Sequence, residues 1–450
     1  MIRFAYRLAL LSFATAIPLG AQISDTESMP SPLAYEEHRL ENGLTVITHE
    51  DRSTPVINLQ LWYHVGSKNE REGRTGFAHL FEHLMFKGSA NVSPEQHDEL
   101  ITSVGGISNA YTTDDATVYW ETVPANYLER ILWLEADRMH SLNVSEENFI
   151  SEREVVKEER RVRVDSPPYG DILEMLHFAA FDVHPYQHVP IGSTEDLNAA
   201  TIEDVQDFYE MYYMPSNAYL VLAGDFETKQ AMEWIEQYFG SIPAGKDDVP
   251  RVNIREPVHD LERRIERNKA VPLPAYVAGY YIPHDGHPDS YPLTVASSIL
   301  SEGRSSRVYQ SLIYEKQLAL QANVFSSVRE HPHLFMAILI MNQGESLEEG
   351  EAALDAEFQR MMTEPVTDRE IEKAKNQIRS SYIMGRQTVQ DKANALGHAA
   401  VIHQDTATAV NEFELFMNVT KEDITRVIRK YLRPANRTVV TVLPMAPDRQ

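Results

Sequence analysis

Two hydrophobic periods organise this chain, and they place its elements before any chemistry is considered. Glu36 to His49 (EEHRLENGLTVITH) alternates on both sides of Asn42-Gly43, a pair suited to a tight hairpin turn. Val56 to Val65 is an apolar strand, followed by the polar loop Gly66 to Glu70. Pro94 to Val104 reads as a helix stopped by Gly105-Gly106. Ile107 to Val123 (ISNAYTTDDATVYWETV) is rich in β-branched and aromatic residues, as one long kinked strand or as a hairpin. Tyr127 to Ser141 has the 3.6-residue period of an amphipathic helix, and a further helix runs from about Ser145 to Val164.

The pattern then repeats. Thr201, Tyr212, Pro215 and Asn217 recur as Thr420, Tyr431, Pro434 and Asn436, each 219 residues later. Apolar strands follow both times, at Ala218 to Ala223 and Thr438 to Leu443. A constant offset means two copies of one unit. Each copy is expected to be an α+β domain, a mixed or antiparallel sheet covered by helices. The proline- and charge-rich stretch 241–274 reads as a linker between domains at 22–240 and 275–450.

One helix carries the chemistry. In Gly76 to Gly88 (GFAHLFEHLMFKG), His79, Glu82, His83 and Phe86 share a face, while Phe77, Leu80, Phe81, Leu84 and Met85 fill the other. A helix apolar nearly all round is buried, so its polar stripe needs partners. Histidines at i and i+4 can share one zinc ion, and a carboxylate at i+3 can take a proton from a bound water. The order H-x-x-E-H is the inverted zinc-hydrolase motif. A buried helix with two hydrogen-bonded core histidines fits the same five residues.

The later helix supplies carboxylates. Phe149, Val155, Val156 and Val162 mark its apolar arc, and Glu152 and Glu159 fall within it. A carboxylate on a core-facing arc needs a cation or a donor. Glu159 is the candidate third zinc ligand, and Glu152 a candidate for orienting one of the others. The corresponding helix of the second copy, Ser290 to Ser301, has no histidine or glutamate at such positions.

Composition narrows the classes. The chain has 450 residues, 43% hydrophobic and 24% charged, enough for a large core. Met1 to Ala21 has Arg3 and Arg7, an apolar run from Leu8 to Ile17 and small residues Leu19-Gly20-Ala21, the pattern of a secretory signal peptide. Export to a periplasm, or secretion, is therefore expected, with no stable membrane span after cleavage. There is no cysteine, so disulfides, thiolate ligands and a cysteine nucleophile are excluded. A net charge of -26 disfavours nucleic acid as a partner. His184 and His188, and His331 and His333, are interrupted by proline and read as loop histidines. Asn91 and Asn418 begin glycosylation-type triplets, a pattern common by chance.

Gly76-Phe77-Ala78-His79-x-x-Glu82-His83-x-x-Phe86-Lys87-Gly88, Asn109-Ala110-x-Thr112 and Glu152-Arg153-Glu154-Val155-Val156-x-Glu158-Glu159 together resemble the pitrilysin/insulinase family of zinc metallopeptidases. The resemblance is greatest to half-length bacterial members similar to the mitochondrial processing peptidase. It implies two similar domains facing each other as a clamshell around a peptide. It implies one Zn2+ per chain held by His79, His83 and Glu159, with Glu82 as the catalytic base. Glu159 follows Glu82 by 77 residues, the family's spacing. Asn109 and Ala110 would lie at a strand edge that holds the peptide substrate, although Asn109 also fits an ordinary turn residue after Gly106.

The family's substrate-gripping Arg/Tyr pair is missing. In Leu312 to Leu320, Ile313 stands at the arginine position and Leu320 at the tyrosine position. A homologous subunit supplying that pair, in a heterodimer, is the expected partner, and otherwise a homodimer. Tyr309, Tyr314 or Arg307 as a replacement is the competing possibility. A non-catalytic scaffold or peptide-binding subunit is the alternative to an endopeptidase.

Overall fold

The Asn42-Gly43 turn forms as expected, with Gly43 at φ +89° joining β1 (Glu36–Arg39) to β2 (Thr45–Glu50) in antiparallel register. Asn42 is buried and donates to the carbonyls of Phe239 (2.8 Å) and Ile242 (3.0 Å), so the turn is anchored to the far end of its own half. The computed structural model describes residues 33–245, 249–257 and 259–445; the expected signal peptide lies outside them.

After the hairpin the first half runs through β3 (Val56–Tyr63), α1 (Phe77–Leu84), α2 (Pro94–Thr102), β4 (Ile107–Thr112) and β5 (Thr117–Pro124). It continues through α3 (Leu128–Ser141), α4 (Glu146–Arg160), α5 (Ile172–Ala180), α6 (Thr194–Ala199), α7 (Ile202–Tyr212), β6 (Ala218–Gly224) and α8 (Thr228–Phe239). The second half comprises β7 (Arg263–Lys269), β8 (Ala275–Ile282), α9 (Ser290–Ser301), β9 (Ala319–Ser327) and β10 (His333–Met341). Then come α10 (Leu347–Thr363), α11 (Asp368–Met384), α12 (Val389–Ile402), α13 (Thr408–Met417), α14 (Lys421–Tyr431) and β11 (Arg437–Pro444). Among the described residues no helix is long and apolar enough to cross a membrane.

The two sheets have matching topology. The first has the order β1-β2-β6-β3-β5-β4 and the second β7-β11-β8-β10-β9. In each, one pair is parallel, β2 with β6 and β7 with β11, and the other pairs are antiparallel. The 219-residue offset carries β3 onto β8 and α7 onto α14. Two similar α+β units are thus present.

The expected linker needs correction, because 241–274 contains β7, the second sheet's counterpart of β2. Its sequence, RRIERNK, has a single apolar residue. Charged edge strands resist unwanted pairing, but they also hide the alternation that reveals a strand.

Each sheet packs helices of its own half on one face, around Leu59, Tyr63, Phe81 and Leu220 in the first and Tyr280, Leu293, Phe335 and Ile428 in the second. The other face is covered from the opposite half. Ile172 and Leu176 of α5 pack on Val277, Leu334 and Val440 of the second sheet. Leu396 and Ala400 of α12 pack with Trp62 and Val221 of the first. Gly397 lies against the Trp62 ring so closely that an added Cβ would overlap it.

Buried charges complete the join. Lys68 pairs with Asp115 (2.9 Å) and Glu330, and Glu330 also contacts His64 Nε2 (2.7 Å). Arg329 reaches Asp114 at 2.7 Å, and Tyr186 donates to Asp115 at 2.5 Å. His184 and His331 gather at this join with rings 5.0 Å apart, whereas His333, expected in a loop, opens strand β10 and is fully buried there. None of His184, His188, His331 and His333 belongs to a metal-like trio among the described residues.

Candidate metal centre

The N-terminus of α1 is set by Glu70, whose carboxylate accepts from the backbone N–H groups of Gly76 and Ala78, each at 2.8 Å. Those donors have no partner inside the helix, so the carboxylate caps it and favours its dipole. Gly76 takes φ +93° where its backbone meets Gly192, leaving no room for a side chain at Gly192. Farther along, Tyr119 donates to the Phe81 carbonyl at 2.9 Å, and Phe81 stacks on Phe208 and Tyr209. Phe77, Leu80, Phe81 and Leu84 are buried, so the His79–Glu82–His83 stripe faces away from the aromatic core, toward α4.

On α4 the inward face consists of Phe149, Glu152 and Val156, with Glu159 half-buried. Val155 and Val162 are exposed, contrary to the expected apolar arc. The face steps through 149, 152, 156 and 159, so the two glutamates are on it but two of the valines used to infer it are not. Directly after Glu159 and Arg160 the helix widens into a π turn, Arg161–Asp165. Such turns redirect side chains near functional sites. Here Arg163 reaches back to Glu159 Oε1 at 2.5 Å.

That contact leaves Glu159 Oε2 facing both histidines, 3.7 Å from His79 Nε2 and 3.4 Å from His83 Nε2. The imidazole rings are 5.0 Å apart and nearly perpendicular. These separations are long for hydrogen bonds. They suit ligands sharing one ion: with bonds of about 2.0–2.1 Å, the edges of a zinc tetrahedron are about 3.3 Å. His79 Nδ1 is buried without a hydrogen-bond partner among the described residues. The residues present therefore fit a zinc ion.

Around this trio, Glu152 lies 3.5 Å from His83 Nδ1 and 2.8 Å from Lys87 Nζ. Burial alone would raise the Glu152 carboxyl, but His83 and Lys87 outweigh it and hold it low. Burial and the neighbouring His83 push His79 down to about 4, so it is neutral at neutral pH, the form that ligates a metal. For His83, burial is outweighed by Glu152, Glu159 and Glu82, which raise it. Burial raises the Glu82 carboxyl, and Thr112 Oγ1 donates to its Oε2 at 2.7 Å.

Thr112 belongs to β4, the free edge of the first sheet. Ala110 is buried in the core, and its N–H is covered by the Asn109 side chain at 2.9 Å. Asn109 is exposed. The two positions expected for a peptide grip are not equivalent to a clamp: Ile313 is half-buried against the second core and Leu320 stands exposed on β9. Arg307 is held by Glu370 in a two-point ion pair at 2.7 and 3.0 Å, so it is committed to the fold. Tyr309 is half-buried and Tyr314 exposed. Thr112, Lys87 and Arg163 are the contributors that pattern reading gave no role; Lys87 and Thr112 stood in the motifs quoted for the resemblance, and the i+4 spacing of Arg163 from Glu159 offered a signal of its own.

Fold and site together define a two-unit α+β protein with an inverted two-histidine, one-carboxylate centre on its first unit. Residues 45–192 match the family model described as Insulinase (Peptidase family M16), and 199–378 that of the Peptidase M16 inactive domain. The chain is 30% identical to the zinc protease PqqE of Helicobacter pylori, over 97% of this chain and 98% of that one. It is 22% identical to a probable mitochondrial-processing peptidase subunit beta of Arabidopsis thaliana, over 97% and 82%. The crystal structure of a protease from Helicobacter pylori superposes with a TM-score of 0.88 at 30% identity, covering 92% of this chain and 100% of that one. The chain belongs to the insulinase family, peptidase family M16, and its relatives support a peptidase-type function.

Proposed function

We propose that this chain is an exported zinc-dependent endopeptidase, hydrolysing peptides or unfolded segments held between its two units, with one zinc per chain. The observation that carries this reading is the convergence of His79 Nε2, His83 Nε2 and Glu159 Oε2 beside a carboxylate, Glu82, tethered to a free sheet edge. When bound, Zn2+ would polarise a peptide carbonyl and lower the pKa of water from about 15.7 toward 7. His79, His83 and Glu159 hold it, and Glu152 with Lys87 orients His83. Glu82 accepts the water's proton and returns it to the leaving amine, a role suited to a carboxyl raised by burial. The substrate backbone adds to the edge of β4 near Asn109 and Ala110.

The expected partner is a homologous subunit that brings the missing arginine and tyrosine. This reading is supported by Ile313 and Leu320, which cannot donate hydrogen bonds, and by the commitment of Arg307 to Glu370. Co-purification of the native protein tests it, and a fully active homomer would refute it.

Glu82→Gln tests the chemistry. The variant should keep one equivalent of zinc and lose hydrolysis of an unfolded peptide by about 100-fold or more. Retained turnover would sink the assignment of Glu82.

A further inference from the structure

A second trio of two histidines and a carboxylate lies far along the chain from the first. Asp285 is in the loop between β8 and α9, His398 is on α12, and His403 directly follows that helix. Asp285 Oδ2 is 3.1 Å from His403 Nε2 and 3.7 Å from His398 Nε2. The two imidazole rings are 5.3 Å apart at 72°. At the His79/His83 centre the rings are 5.0 Å apart at 83°, and one carboxylate oxygen is 3.4 and 3.7 Å from the two nitrogens. The parallel extends to the unused oxygen. Asp285 Oδ1 accepts from the Gly286 N–H at 2.9 Å, as Glu159 Oε1 is held by Arg163, so in both cases the second oxygen is left to the histidines.

A simple ion pair between Asp285 and His403 does not account for this arrangement. The His403 side chain retains only 5% of its exposure, and neither ring nitrogen has a hydrogen-bond partner among the described residues. Despite the 3.1 Å separation, the imidazole N–H is not aligned on the carboxylate. Two buried ring nitrogens left without partners are costly, and a metal ion would satisfy one of them. His398, with 46% of its side chain exposed, brings a third ligand atom within reach of the other two. Asp285 and His403 line a cavity of about 590 Å³ together with Glu412, Asp405 and Asn411, which gives a cation an entry path and room for water ligands.

We propose that Asp285, His398 and His403 form a second metal site for a divalent transition ion, zinc above all. Two imidazoles and one carboxylate suit ions of intermediate softness and disfavour calcium or magnesium, which prefer all-oxygen sites. The ion would tie the β8–α9 loop to the end of α12, the helix that covers the first sheet. The site is then a brace that fixes the sheet-covering helix α12 to the rest of its own half rather than a second reaction centre.

Zinc titration of the chelator-stripped full-length chain, followed by calorimetry and thermal melting, tests this. Wild type should take up two equivalents. His79→Ala/His83→Ala should keep one, and zinc should still raise its melting temperature. His398→Gln/His403→Gln should also keep one, at the first centre, and retain peptide hydrolysis. Adding the glutamine substitutions to His79→Ala/His83→Ala should abolish both the remaining equivalent and the thermal shift. A single equivalent in wild type, or none in His79→Ala/His83→Ala, would overturn the proposal, whether or not the glutamine variants fold.

Discussion

Thr112 Oγ1 donates a 2.7 Å hydrogen bond to Glu82 Oε2, joining the edge strand β4 to the helix that carries both histidines. On the proposed reading, the strand edge that would hold a substrate backbone and the carboxylate that would handle its proton are thereby referenced to each other. Thr112→Val keeps the branched shape and removes the donor. Zinc content should be unchanged and kcat should fall about 10- to 100-fold, since small misplacements of a catalytic group are costly. Steady-state kinetics with parallel zinc analysis would check this, and an unchanged kcat would remove Thr112 from the mechanism.

Glu152 acts one step farther out. It has no place among the three converging ligand atoms, but it lies between His83 Nδ1 and Lys87 Nζ. A carboxylate behind a ligating imidazole selects its tautomer and orientation, and its loss usually costs 10- to 100-fold in metal affinity. Glu152→Gln should therefore weaken zinc by about that factor in a chelator competition, with activity restored at saturating zinc. Activity that stays low with zinc saturated would point instead to a direct role in the reaction.

How far the sequence disclosed this arrangement differs by element. Hairpin and histidine-bearing helix were legible because their signals are local: Asn42-Gly43 favours a turn, and the i, i+3, i+4 spacing of His79, Glu82 and His83 determines a face. Glu159 was legible through the family's spacing. The arc drawn to support it was partly mistaken, because Val155 and Val162 face solvent. β7 was missed since its only continuous partner in the chain's own half is β11, more than 160 residues away, and its side chains are nearly all charged. The exchange of α5 and α12 was not legible at all. Periodicity shows which face of a helix is apolar, not which sheet will cover it.

The free edge of β4 makes a prediction of its own. The N–H of Ala110 points away from β5 and is covered only by the Asn109 side chain. A peptide adding to this edge would take over that donor. Ala110→Pro deletes it at a position where an edge strand can tolerate proline. KM for a peptide substrate should rise about 10-fold, with kcat and zinc content nearly unchanged, provided the melting temperature shows an intact fold. A KM that does not move would exclude backbone pairing at Ala110 as the source of affinity.

Acid should loosen the join between the two units through Glu330. Burial alone would raise its carboxyl, but hydrogen bonding from His64 and the Lys68 ammonium hold it down at about 2. His64 is itself lowered by burial and stays neutral, so it acts as a neutral Nε2–H donor and Lys68 supplies the charge. A carboxyl lowered on folding contributes stability above its unfolded value, about 4.5, and that stability is lost as the pH falls toward 2. The contribution of Glu330 is about 3 kcal/mol at neutral pH. Glu330→Gln should lower unfolding stability at pH 7 by about 2–3 kcal/mol and flatten the decline between pH 4.5 and pH 3. The loss below pH 6.5 that His64 contributes, because its folded value is lowered by burial, should persist and deepen, since Glu330 is one of the groups that hold His64 up. Urea unfolding at pH 7, 5, 4.5 and 3 separates the two windows. Parallel curves for wild type and variant below pH 4.5 would show that Glu330 is not the acid-sensitive group.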